Sequence, residues 1–135
     1  MRHRKNTVKL GRTSAQREAL FASLVSNLIL AKRIKTTLPK ARAAKRMADK
    51  MVTIGKKETL AARRHALSLL KQPKAVAELF AAVAPAMKDR AGGYTRIVKL
   101  GTRKGDAAEM CILQWTCAAE VAAPAAAEEP AKEVK

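Results

Sequence analysis

Positive charge is the condition under which this chain has to fold. Twenty-eight lysines and arginines stand against 11 aspartates and glutamates, a formal net charge of +17 over 135 residues. Four of the acids, Glu120, Glu128, Glu129 and Glu133, fall in the final segment beside Lys132 and Lys135, so residues 1–117 hold 26 bases against 7 acids. A body of that composition repels itself when compact and is most at ease against a polyanion. Nucleic acid is the expected partner, ahead of an anionic membrane surface. The length is that of one ordinary domain, and the 48% hydrophobic content, much of it alanine, supplies a modest core.

The stretch MRHRKNTVKLGRTSAQRE followed by ALFASLVSNLILA has the look of a secretory leader. Its basic part is too long, however, Ser26 and Asn27 interrupt the apolar run, and no small-residue cleavage site follows. The run is also shorter than the ~20 residues that span a bilayer. It is read instead as a core helix of a cytoplasmic protein. Residues 1–12 carry Arg2, Arg4, Lys5, Lys9 and Arg12 with no acid and no apolar period. They are expected to form a basic arm that orders by folding onto phosphates.

Periodicity organises the middle of the chain. Thr13 and Gln16 have capping-box spacing, and Leu20, Leu24 and Leu28, backed by Phe21, Val25 and Ile29, form one helical stripe. In RIKTTL, residues 33–38, Ile34, Thr36 and Leu38 alternate with Arg33, Lys35 and Thr37, as in a half-buried strand. Pro39 suits the first turn of a second helix that carries Ala44, Met47, Met51 and Ile54 inward and ends near Gly55. Its other face, with Lys40, Arg42, Lys45, Arg46 and Lys50, is either solvated or laid on phosphate. A third helix is expected with Leu60, Leu67 and Leu70 inward. A fourth follows Pro73, burying Val76, Leu79, Phe80 and Val83 and closed by Pro85. YTRIVKL (94–100) and MCILQW (110–115) read as a hairpin joined by residues 101–109, with Gly101 and Gly105 in the connection.

The expected fold is therefore α+β: two layers, a small three-stranded sheet covered by helices on one face, in the order α-β-α-α-α-β-β. Residues 13–116 form the single domain, and 117–135, rich in Ala, Glu and Pro, form a disordered tail.

Enzymatic chemistry finds little footing. AGGYTRI lacks the lysine, the hydroxyl and the following helix of a phosphate-binding nucleotide loop, and GxGxxG is absent. Cys111 and Cys117 would lie roughly 20 Å apart along a strand, too far for a disulfide, and they form no CxxC pair. No metal or other cofactor and no small-molecule substrate is expected. His65 has no carboxylate or thiol at helical spacing. Asp106 and Glu109 are the only close acids, and Arg103 and Lys104 beside them point to loop ion pairs. Aromatics are few: Phe21 and Phe80 belong to helix stripes, so no stacking platform for single-stranded bases is expected. What remains is phosphate and sugar contact with a structured, A-form-like RNA.

MRHRK at the start, KLGRTSAQREAL, IKTTLPKA, LF before Pro85, and RAGGYTRIVKLGTRKGDAAEM occur in this order and spacing. In these segments the chain, over residues 1–116, resembles the bacterial large-subunit ribosomal proteins of the seventeenth family. The resemblance implies a two-layer α/β fold of the derived order and no enzymatic activity. It also implies a place on the large ribosomal subunit against large-subunit ribosomal RNA, on the side where the nascent-chain tunnel opens, with ribosomal proteins as neighbours. The family's functional positions carry over to Arg2, His3, Arg4 and Lys5; to Lys35, Thr36, Thr37 and Lys40; and to Arg90, Gly92, Gly93, Tyr94, Thr95 and Arg96. Lys9, Arg12, Arg17, Lys99, Arg103 and Lys104 join them as RNA-binding candidates by charge. Gln16 stands where the family commonly has histidine, PAMKDR is less basic and aromatic than its counterpart, and Trp115 replaces a more acidic strand end. The expected role is that of a structural constituent of the large subunit. A DNA-compacting protein and a nuclease are the alternatives.

Overall fold

The computed structural model describes residues 8–117. Helix α1 (Ser14–Ala31) starts on a complete capping box, in which Thr13 Oγ1 accepts from the Gln16 amide and the Gln16 side chain accepts from the Thr13 amide. Glutamine thus fills the cap by itself, with no need of an imidazole. The helix ends at Lys32, in the left-handed region, and the chain turns at once into β1 (Arg33–Thr37). Helix α2 (Leu38–Gly55) follows without a linker, its proline in the first turn where a missing N–H costs nothing. Helix α3 is Leu60–Leu70, and α4 (Pro73–Glu78) continues through a π-helical turn, Leu79–Val83, into a last α-turn, Ala84–Ala86. Strands β2 (Thr95–Thr102) and β3 (Glu109–Trp115) complete the expected order.

The sheet is antiparallel in the order β1-β3-β2, so the last strand is the central one. Cys111, Leu113 and Trp115 alternate toward the helices, where Val25, Leu28, Ile29, Met51, Leu70, Leu79 and Val83 complete a fully buried core. Each such aliphatic side chain contributes roughly 1.5–3 kcal/mol of transfer free energy. Trp115 does more than fill volume. Its indole Nε1–H donates to the Leu28 carbonyl at 3.1 Å, one of the four carbonyls that the end of α1 leaves without a helical partner. The tryptophan therefore caps the first helix from the middle of the sheet. Lys32 adds an ion pair to Glu78 of α4 beside it. The Cys111 and Cys117 thiols are free, and burial pushes that of Cys111 up, an effect that Arg42 partly offsets.

Three expectations need correcting. Leu60 and Leu67 do not point inward: they are 63% and 42% exposed, and α3 buries Ala62, Ala66 and Leu70 instead. The buried stripe is rotated roughly a quarter turn from the leucines, because at 3.6 residues per turn the small alanines share a face and allow α3 to approach closely. Pro85 does not close the fourth helix, which runs on to Ala86. Proline has no N–H to give and its ring crowds the carbonyl four residues back, and the widened turn before it relieves both, with the Ala84 amide donating to Leu79. The hairpin connection is shorter than 101–109, since β2 extends to Thr102 across a bulge between Lys99 and Gly101, whose φ of +94° a side-chain-bearing residue adopts at a cost.

Candidate nucleic-acid interface

One face of the sheet carries no helix. Strand alternation brings Arg33 and Lys35 of β1 to it, together with Ile112 and Gln114 of β3 and Arg96 and Val98 of β2. Cross-strand register aligns them in two rows. Arg33 and Arg96 flank Gln114 from either side, and Lys35 and Val98 flank Ile112. At ~4.8 Å per strand and ~3.3 Å per residue, the three cations stand on a patch about 10 Å by 7 Å. Among the described residues the ion pairs are Lys32–Glu78 and Arg103–Asp106, so these three charges are spent on no acid there. Arg33 was not among the residues singled out from the sequence, although its place two positions before Lys35 puts it on the same face.

The same alternation separates two neighbouring candidates. Thr36 pairs with Cys111, whose Sγ–H donates to the Thr36 carbonyl, and is half-buried on the helix side. Lys35 is exposed on the other side. The uncovered face therefore presents Lys35 and not the Thr36 hydroxyl. Thr37 is half-buried at the start of α2 without a side-chain cap bond, and Lys40 is half-buried in the first turn of that helix. Lys99 is exposed at the bulge, bordering a small hollow with Leu38 and Met110.

The glycine turn is held by residues far away in sequence. Lys56, just past α2, donates to the Arg90 carbonyl and to the Lys88 carbonyl, the latter at 3.3 Å, and its ammonium lies 4.6 Å from the centroid of the Tyr94 ring. The Tyr94 hydroxyl donates to the same Arg90 carbonyl at 3.3 Å. Tyr94 is 4% exposed, so its ring anchors the turn from inside and offers no face to a base. Arg90, Gly92 and Gly93 stay exposed above it. Gly93 has φ +65°, and a Cβ built on either glycine would meet nothing within 4 Å, which leaves open backbone for a close neighbour. Next along the chain, the Thr95 hydroxyl donates to Asp49 Oδ1 at 3.1 Å and ties β2 to α2. Nothing in the local sequence around Lys56 announces a partner 34 positions on.

The remaining candidates fall at the two ends of the described chain and at the hairpin tip. Arg2, His3, Arg4 and Lys5 lie outside the described residues, as do residues 118–135 of the expected tail. Lys9 is exposed; Arg12 donates to the Leu10 carbonyl at 3.0 Å and Arg17 to the Arg12 carbonyl at 2.9 Å, which folds the entry segment back on the first turn of α1. Arg103 grips Asp106 through both guanidinium arms, at 3.0 and 2.5 Å, while Lys104 is exposed. That guanidinium, with the Ala108 amide, lowers the Asp106 carboxyl to about 2. Asp106 is a loop tie, and among the described residues no three His, Cys, Asp or Glu side chains gather as a metal site. His65 is exposed on α3, where its carbonyl accepts from Ser68. Nor is any described helix long and apolar enough to cross a membrane.

Comparison with known proteins gives the family. The family model for ribosomal protein L17 matches residues 20–116. A large ribosomal subunit protein bL17 of Methylacidiphilum infernorum is 49% identical over 116 residues, covering 86% of this chain and 88% of its own. The bL17 of Alkaliphilus metalliredigens is 51% identical over 106 residues, 78% of this chain and 94% of its own, and that of Trichlorobacter lovleyi is 44% identical over 124 residues, 92% and 98%. Matches of this depth over most of both partners, on a chain whose fold has the expected order, leave one conclusion: the chain belongs to the ribosomal protein L17 family.

Proposed function

We propose that this chain is a structural component of the large ribosomal subunit that binds large-subunit ribosomal RNA by phosphate neutralisation and shape. The family is one of structural ribosomal components and not of enzymes. The observation that carries the RNA reading is the uncovered sheet face, where Arg33, Lys35 and Arg96 stand at fixed spacing on paired strands, free of acids among the described residues. The strands fix the backbone spacing of these cations in advance, so only side-chain freedom is lost when they meet phosphate, and phosphate contacts fix register and orientation without reading bases. The exposed backbone at Gly92 and Gly93 supplies a second approach, and the basic residues 2–12 a third. Their joint effect is to let RNA segments come together that would otherwise repel.

The test is competition at physiological salt. Labelled large-subunit RNA is bound to the full chain and challenged with equal masses of unlabelled large-subunit RNA, small-subunit RNA and duplex DNA. Preference for large-subunit RNA is expected. Equal displacement by duplex DNA makes the chain a general nucleic-acid compactor and contradicts the proposal.

A further inference from the structure

Phe21 belongs to the apolar stripe of α1, yet it does not close into the core. It is half-buried and lines an open groove of about 380 Å³ between α1, α2 and α3. Met47 and Leu69 complete the apolar floor, and Arg46, Lys50 and Lys71 stand on the rim with Glu18 as the single acid. The volume sits near the lower end of the ~300–1,000 Å³ typical of small-ligand sites. Ser68, also on the rim, gives its hydroxyl proton to the His65 carbonyl at 2.8 Å.

We propose that this groove is a binding site for one unstacked nucleotide of an RNA strand, with a preference for guanine. The proposal rests on the RNA-binding reading above and adds a residue-level site to it. Three cations against one carboxylate favour an anionic occupant, and an aromatic ring with a thioether and an isobutyl group favours a flat apolar one. A nucleotide is both at once. Glu18 gives the site a direction: a carboxylate only accepts, so it repels the phosphate toward Arg46, Lys50 and Lys71 and takes hydrogen bonds from the base edge. Guanine alone among the four bases offers two adjacent N–H donors on that edge, matching the two oxygens of Glu18. Arg46 and Lys50 also belong to the charged side of α2, so a strand leaving the groove passes directly onto further cations.

The full chain, carrying ¹³C-methyl label on Met and Leu, is titrated with the oligomers r(UUGUUU) and r(UUUUUU). The Met47 and Leu69 methyl signals are expected to shift, with tighter binding of the guanine oligomer. Phe21→Leu, which keeps the floor apolar, is expected to weaken r(UUGUUU) by at least about fivefold, and Glu18→Gln to remove the preference between oligomers. Silent Met47 and Leu69 signals in a chain that still binds large-subunit RNA overturn the groove site alone. A synthetic peptide of residues 118–135 that moves these signals while the oligomers do not would assign the groove to an acidic peptide and overturn it as well. Loss of all RNA binding by the native chain overturns both readings.

Discussion

Replacing Arg33, Lys35 and Arg96 together by glutamine removes the three cations of the uncovered sheet face and leaves the core untouched. The side chains are exposed, and Thr36, Leu113 and Thr95, on the opposite side of the same strands, keep their packing. Each phosphate neutralised contributes about 0.7 to 0.9 to the slope of log affinity against log salt, so three contacts are worth about 2 to 3. Between 50 and 200 mM salt that slope corresponds to about 15- to 65-fold in affinity. The triple variant is therefore expected to bind large-subunit RNA more weakly at low salt and to lose correspondingly less as salt rises. Fluorescence anisotropy across a potassium chloride series reads both quantities, and thermal unfolding checks that the fold survives. Removing three like charges from so basic a body should leave the midpoint unchanged or raise it slightly. A variant that folds normally and keeps the native slope within about 0.3 would show that this face meets no phosphate, and the reasoning from strand register to RNA contact would fail.

Two further outcomes follow from the packing and the loop. Trp115→Phe leaves the buried Leu28 carbonyl without its indole donor and shrinks a fully buried side chain; the expected loss is about 2–4 kcal/mol in urea unfolding followed by circular dichroism, and a loss under about 0.5 kcal/mol would mean that the sheet does not cap α1. Asp106 should titrate in an NMR pH series with a midpoint near 2, held down first by Arg103 and then by the Ala108 amide, and Arg103→Gln should return it toward its ordinary value near 4. Because the folded carboxyl titrates below the unfolded one, the loop tie is present at neutral pH and is lost as pH falls through about 2.

Much of this was readable because it is local. A capping box, a proline in a first turn and a two-residue alternation each involve neighbours within four positions, and Thr13, Pro39 and residues 33–37 behave accordingly. The failures concern partners distant in sequence. Leucine spacing alone put Leu60 and Leu67 inside, whereas the inward face of α3 is chosen by what α2 and α4 present to it, and alanines 62 and 66 fit closer. The sheet order puts β3 between strands that precede it, so Trp115, which the sequence marks only as a departure from a more acidic strand end, becomes the centre of the core. The candidate interface divides in the same way. Lys35 and Arg96 come from the family resemblance, and strand register puts them on one face, but that Tyr94 lies under Lys56 depends on a contact made only when α2 meets the turn. Phe21 shows the converse, since its stripe spacing points inward and the gap between three helices leaves it open to a groove.

Lysine reactivity inside the particle tests the central claim most directly. Lys35, Lys99 and Lys104 are exposed in the free chain, as are Lys57 and Lys74 on the helical side. Acetylation of intact large subunits, quantified by mass spectrometry before and after nuclease digestion, should find Lys35, Lys99 and Lys104 protected in the particle and reactive once the RNA is cut. Lysines 35, 99 and 104 reacting as fast in the intact subunit as in the free chain would contradict an RNA interface on the sheet and hairpin.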